Sequence, residues 1–139
     1  MTNMLRISDA ASLALHTMAY LAGNTDRLVS THEIASALNI SENHLAKVHQ
    51  WLAKAGLVDA VRGPSGGSRI TKSPRDITLL DIYEAVEGPF KPANCLLHRP
   101  ACPGKNCILG GLVASVNTQV RDFLAGTTLE QLANPNGGA

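Results

Sequence analysis

Apolar positions recur at helical spacing along most of this chain, and short polar or glycine-containing breaks divide the pattern. Residues 7–21 are rich in alanine and leucine, both good helix formers, and Gly23-Asn24 supplies the stop. After the polar turn Thr25-Asp26-Arg27, Ser30 stands three residues before Glu33. At that spacing hydroxyl and carboxylate each satisfy a free backbone N–H at a helix start, so a capping box and a short helix over 31–38 are predicted. Ile34, Ala35 and Leu38 form its apolar face. Asn39 suits a left-handed turn, Ile40 re-enters the core, and Ser41 caps a further helix on which Leu45, Val48 and Leu52 recur.

Two short helices joined by so tight a turn must cross steeply, and Ala35 is small enough to let the second approach. This is helix-turn-helix grammar, although an ordinary amphipathic hairpin shares the pattern. The next segment decides between them. Gly56 closes the helix, and residues 57–62 and 68–71 are strand candidates joined by Gly63-Pro64-Ser65-Gly66-Gly67, a hairpin signal. Directly after a recognition-type helix, such a hairpin is a wing. A phosphate-binding nucleotide loop would need Lys-Ser/Thr and a helix start after its glycines, and neither follows.

Beyond the wing, Thr78 caps a helix whose Leu79, Ile82, Tyr83 and Val86 form a core stripe, ended by Glu87-Gly88. Periodicity resumes with Leu109, Leu112, Val113, Val116, Val120, Phe123 and Leu124 and stops at Gly126. An apolar stripe of about five turns has no obvious partner in so small a domain. The same helix of a second chain would bury it, and packing back on the first helix is the compatible alternative. Residues 129–132 and the tail 134–139 read as frayed. The expected fold is mainly α with a small β-hairpin wing. It divides into a winged helix-turn-helix over 1–88, a cysteine-bearing sensor loop over 89–107, and a dimerisation helix with tail over 108–139.

Length and charge refine this picture. At 139 residues, 45% of them hydrophobic and 17% charged, the chain can build one core and not two. The net charge of +1 hides an asymmetry. Residues 41–75 hold six cations (Lys47, Lys54, Arg62, Arg69, Lys72, Arg75) against two acids (Glu42, Asp59), a balance of +4, and the remainder stands at −3. The outward residues of the second short helix are Glu42, Asn43, His44, Ala46, Lys47, Gln50 and Lys54, types that can enter a major groove. Arg62 and Arg69 flank the wing turn, within reach of phosphates or a minor groove. Binding through such cations weakens steeply as salt rises.

The apolar stretch 10–22 is a poor signal peptide: Asp9 precedes it, His16 and Thr17 interrupt it, and Arg6 is its sole upstream cation. With no run of about 18 apolar residues either, a cytoplasmic protein without membrane association is expected.

Three cysteines cannot pair completely, which suits a reducing compartment. Cys95, Cys102 and Cys107 are spaced C-x6-C-x4-C in a proline-containing irregular stretch. Thiolates converging from a loop suit a soft metal or an iron–sulfur cluster, and Lys105 and Arg99 favour the thiolate form. A zinc site and a bare thiol sensor fit the same residues. A cysteine-dependent enzyme is remote, because no C-x-x-C pair or nucleophile motif is present.

The tract "HLAKVHQWLAKAGLVDAVRGPSGGSRI", then "DITLLDIYEAVEG", the three-cysteine loop and the long helix resemble the IscR, NsrR and RirA type of winged-helix regulators of the Rrf family over nearly the whole chain. The resemblance implies a homodimeric bacterial transcription factor, read here as a repressor, that binds a double-stranded DNA operator. One recognition helix would enter each of two major grooves, with the wings in flanking minor grooves. Ser41, Asn43, His44, Lys47 and Gln50 would lie at the groove, and Arg62, Gly63, Pro64, Gly66, Gly67 and Arg69 would form the wing contact.

It also implies that Cys95, Cys102 and Cys107 ligate an iron–sulfur cluster, 2Fe-2S or 4Fe-4S. The oxidation, loss or nitrosylation of that cluster would alter the DNA-reading parts. Relatives usually have five residues between the second and third cysteines, where this chain has four. The histidine that some carry three residues after the last cysteine is Gly110 here. An N-terminal aspartate that others supply from the partner subunit aligns with Ser12, one helical turn after Asp9. Asp9, His98 and His16 are the candidates for the fourth ligand. Some branches lack the cysteines and respond through partner proteins or other signals, which keeps zinc or no metal open as alternatives.

Overall fold

The computed structural model describes residues 7–91, 108, 109 and 111–133. Helix α1 (Asp9–Ala22) is the central element, packed against four other helices and the wing. Its N-cap is Ser8, whose Oγ accepts the Ala11 N–H at 3.1 Å. Ala11, Leu13, Ala14, Met18 and Leu21 face inward, with the small alanines admitting neighbouring helices closely.

Helices α2 (Thr31–Leu38) and α3 (Glu42–Lys54) form the expected helix-turn-helix. Between them Asn39 adopts the left-handed conformation, φ 56° and ψ 53°, and the Ile40 N–H returns to the Ala35 carbonyl at 3.0 Å. Ser41 caps α3 through the His44 N–H at 3.1 Å. At the start of α2 only half of the expected capping box forms. Ser30 Oγ accepts the Glu33 N–H at 3.0 Å, but the Glu33 carboxylate turns away to the Tyr20 hydroxyl at 2.6 Å and the Arg27 guanidinium at 2.7 and 2.9 Å. A charged fork is the stronger partner for a carboxylate than a lone amide. The complete box occurs at α4 (Leu79–Glu87), where Thr78 and Asp81 exchange both hydrogen bonds.

The wing is the antiparallel pair β1 (Val58–Val61) and β2 (Gly67–Ile70), in register from Val58 opposite Ile70 to Val61 opposite Gly67. Sequence pattern did not anticipate a third contributor. Val29 pairs with Ser68 through both backbone bonds, at 2.9 and 2.8 Å, so β2 is flanked on both sides. Two wing glycines are there for close approach. A Cβ on Gly66 would lie 2.0 Å from the Val61 carbonyl oxygen, and one on Gly67 would lie 2.5 Å from that of Val29.

A short 3-10 turn (Pro74–Asp76) leads to α4. The C-terminal part comprises α5 (Leu112–Gly126) and α6 (Leu129–Ala133). Helix α5 packs on α4, and α6 is the element that reaches α1 and the 3-10 turn. Backbone bonds from Leu79 N to Thr127 O (2.9 Å) and from Leu129 N to Ile77 O (3.0 Å) stitch this return. The expectation of a frayed stretch over 129–132 is therefore corrected: Leu129 is fully buried and anchors α6 in the core. Among the described residues no helix is long and apolar enough to cross a membrane.

Candidate nucleic-acid interface

Leu45, Val48 and Leu52 pin α3 to the core, and the opposite side of the helix is left to solvent. On that side Asn43, Lys47, Gln50 and Lys54 follow one another at spacings of four, three and four, a single exposed stripe of hydrogen-bonding and cationic groups. Ser41 stands at the head of the helix, held by its capping bond. Glu42 is occupied by His32, whose Nδ1 lies 2.7 Å from the carboxylate. The acid at the front of the stripe is thereby tied back to α2.

The wing turn is closed by a bond from the Gly66 N–H to the Gly63 carbonyl at 2.9 Å, with Gly63 at φ 110°, which favours glycine. Arg62, Pro64 and Arg69 are exposed around it. Among the described residues no ion pair engages Lys47, Lys54, Arg62, Arg69, Lys72 or Arg75. Arg27 is the contrast: with the Tyr20 hydroxyl it holds the Glu33 carboxyl down at about 2, and Glu33 in turn raises the pKa of Arg27. Cations locked in this way serve the fold.

His44 departs from the stripe. It turns to the flank of α3 facing α1 and lines an open cleft of about 360 Å3 together with Asp9, Ser12, Leu13, His16, Leu38 and Ile40. Two candidate fourth ligands, Asp9 and His16, thus share one cleft with a residue of the recognition helix. His16 Nδ1 lies 2.7 Å from the Ser12 carbonyl, which leaves Nε2 as the ring nitrogen that could face a metal. Among the described residues no three His, Cys, Asp or Glu side chains converge as a metal site. Cys95, Cys102, Cys107 and the third candidate, His98, lie outside the described residues. The stretch leading to them is tied at its start: the Ser8 hydroxyl donates to Glu87 at the end of α4, and the Phe90 N–H donates to Glu84 at 2.7 Å.

Sequence reading passed over His49, which is buried on α3 against the wing, and Val29, whose single-residue bridge flanks β2. A polar residue adjoining the apolar stripe was the available signal for His49. Val29 carried none, since one residue has no period.

The model of the Rrf2 family, described as iron-dependent transcriptional regulators, matches residues 7–135. An HTH-type transcriptional regulator of Aquifex aeolicus is 40% identical over 130 residues, 91% of this chain and 90% of its own length. The NsrR regulator of Halalkalibacterium halodurans is 30% identical over 131 residues, covering 92% and 90%. Among solved structures, CymR, the global cysteine regulator of B. subtilis, superposes with a TM-score of 0.80 at 32% identity, over 94% of this chain and 98% of that one. The relatives are regulators rather than enzymes. A winged helix-turn-helix with an unpaired basic face, matched over nearly its whole length, places this chain in the Rrf2 family of transcriptional regulators.

Proposed function

We propose that this regulator binds operator DNA as a homodimer and represses transcription from it, under control of an iron–sulfur cluster on Cys95, Cys102 and Cys107. The observation that carries the DNA reading is the unpaired set Lys47, Lys54, Arg62 and Arg69, spread over the exposed stripe of α3 and the wing beside it. Asn43, Lys47 and Gln50 read base edges, Ser41 fixes the helix start, and Arg62 and Arg69 hold phosphates with the Gly63 to Gly67 turn between them. The dimer is supported by α5, which leaves Leu112, Val116 and Phe123 exposed along one helix.

Three soft thiolates fit an iron–sulfur cluster, and the family description names iron dependence. Asp9, His16 or His98 would complete the ligand set, in this chain or from its partner. A bound cluster would supply sensitivity to oxidants and to iron supply. Asp9 and His16 line the same cleft as His44, so a ligand on α1 would link the thiol site to the DNA-reading helix. Anaerobic iron–sulfide reconstitution followed by absorption spectroscopy tests this. A coloured protein that loses its charge-transfer bands in the Cys95→Ser, Cys102→Ser, Cys107→Ser triple variant is expected; a colourless wild type sinks the cluster.

The likeness to CymR, the global cysteine regulator of B. subtilis, favours a second reading in which the same thiols work without a cluster, by oxidation or through zinc. Zinc in elemental analysis of the protein as purified, or a thiol titration that changes DNA binding in the colourless protein, selects that reading.

A further inference from the structure

We infer that His49 is a positioning residue that fixes the wing against the recognition helix. The inference rests on the DNA-binding reading above and concerns how its two halves are held in one geometry. At about 100° per residue, His49 falls about 40° beyond Leu45, on the flank of α3 away from His44. It is the polar member of an inward set otherwise made of Leu45, Val48 and Leu52, and it is 8% exposed.

Its Nε2 lies 3.4 Å from the Ser68 hydroxyl of β2, and Ser68 is 2% exposed. Among the described residues this is the one side-chain hydrogen bond between α3 and the hairpin. Burial holds the imidazole below its ordinary pKa.

Ser68 is a point from which the whole wing is set. Its backbone is bonded to Val29 in both directions, and it sits opposite Ala60 in the hairpin. The adjoining Gly67 has no room for a Cβ against Val29. The root of the wing is thus cross-bonded on both sides of β2. Side chains alternate along a strand, so Ser68 pointing to α3 puts Arg69 on the opposite, exposed face. A contact that fixes Ser68 relative to α3 therefore fixes Arg69, and with it the wing turn, relative to Lys47 and Gln50. An apolar pair at the same place would fill the volume without a preferred direction, because a hydrogen bond constrains angle and burial does not.

The test uses a fluorescein-labelled, mixed-sequence DNA duplex of about 30 base pairs, titrated across a range of salt with the full chain. His49→Leu retains the volume and is expected to fold, to bind about fivefold more weakly, and to lower the slope of log affinity against log salt by about one phosphate contact. His49→Gln restores a polar tip and is expected to recover most of both. A merely structural role would lower stability without moving the salt slope. A folded His49→Leu with wild-type affinity and slope overturns the inference, as does a His49→Gln no better than His49→Leu. Should His49 variants fail to fold, Ser68→Ala serves instead: the same two losses support the inference and wild-type binding overturns it. If the wild-type protein itself shows no salt-dependent binding to the duplex, the DNA reading fails and this inference with it.

Discussion

Helices α1 and α5 are nearly the same length and carry similar apolar periodicity, yet they end in opposite situations. Of the 14 residues of α1, seven are buried; of the 15 of α5, Leu124 alone is. The first is enclosed by α2, α3, α4, α6 and the wing, and the second touches α4 along one edge. Exposures of 56% at Leu112, 41% at Val116 and 63% at Phe123 are costly for a chain on its own and ordinary for one that pairs. A helix that satisfies its face internally holds the fold. One that does not is available to hold an assembly.

Four substitutions or conditions separate the two helices, beginning with the largest effect. Met18→Ala in α1 removes a fully buried side chain from the centre of the core and should cost about 2–5 kcal/mol in urea unfolding. Val116→Asp combined with Phe123→Asp in α5 should leave the monomer fold intact by circular dichroism. It should also convert the protein to monomer in sedimentation velocity and weaken duplex DNA binding about a hundredfold through loss of the second half-site. A variant that stays dimeric would remove α5 from the assembly.

Thr17→Val is smaller and opposite in sign. Among the described residues the buried Thr17 hydroxyl has no hydrogen-bond partner, so an isosteric methyl should raise stability by about 1 kcal/mol. Smallest is the acid response of the corner where α1 meets α2. Glu33 is held at about 2 by Arg27 and Tyr20 against an ordinary 4.5. Its contribution to stability is therefore complete above about pH 4.5 and declines as pH falls towards 2. Glu33→Gln should flatten that part of the pH–stability curve while leaving α5-dependent association unchanged.

Much of the architecture was legible because it is local. Ser41, Thr78 and Asn39 act on residues three to five positions away, so the ends of α2, α3 and α4 follow from spacing alone. The wing turn followed from its glycines and proline, and the outward stripe of α3 from helical period. What escaped the pattern depends on distance through space. Glu33 has the spacing of a capping box but a guanidinium within reach, and the stronger partner won. Leu129 has the look of a loose end, and its burial depends on the backbone pairing of Thr128 with Thr78.

The candidate site divides the same way. By itself the sequence determined a winged helix-turn-helix, a basic face and three thiols within thirteen residues, because helix caps, strand turns and charge clusters are properties of neighbouring residues. Only the tertiary structure decided that His44 leaves the reading stripe for a cleft with Asp9 and His16, that Val29 completes the wing, and that His49 meets Ser68 across 19 positions of chain. Those contacts join separate elements, and their geometry is set by how α1 packs all of them together rather than by any spacing along the chain.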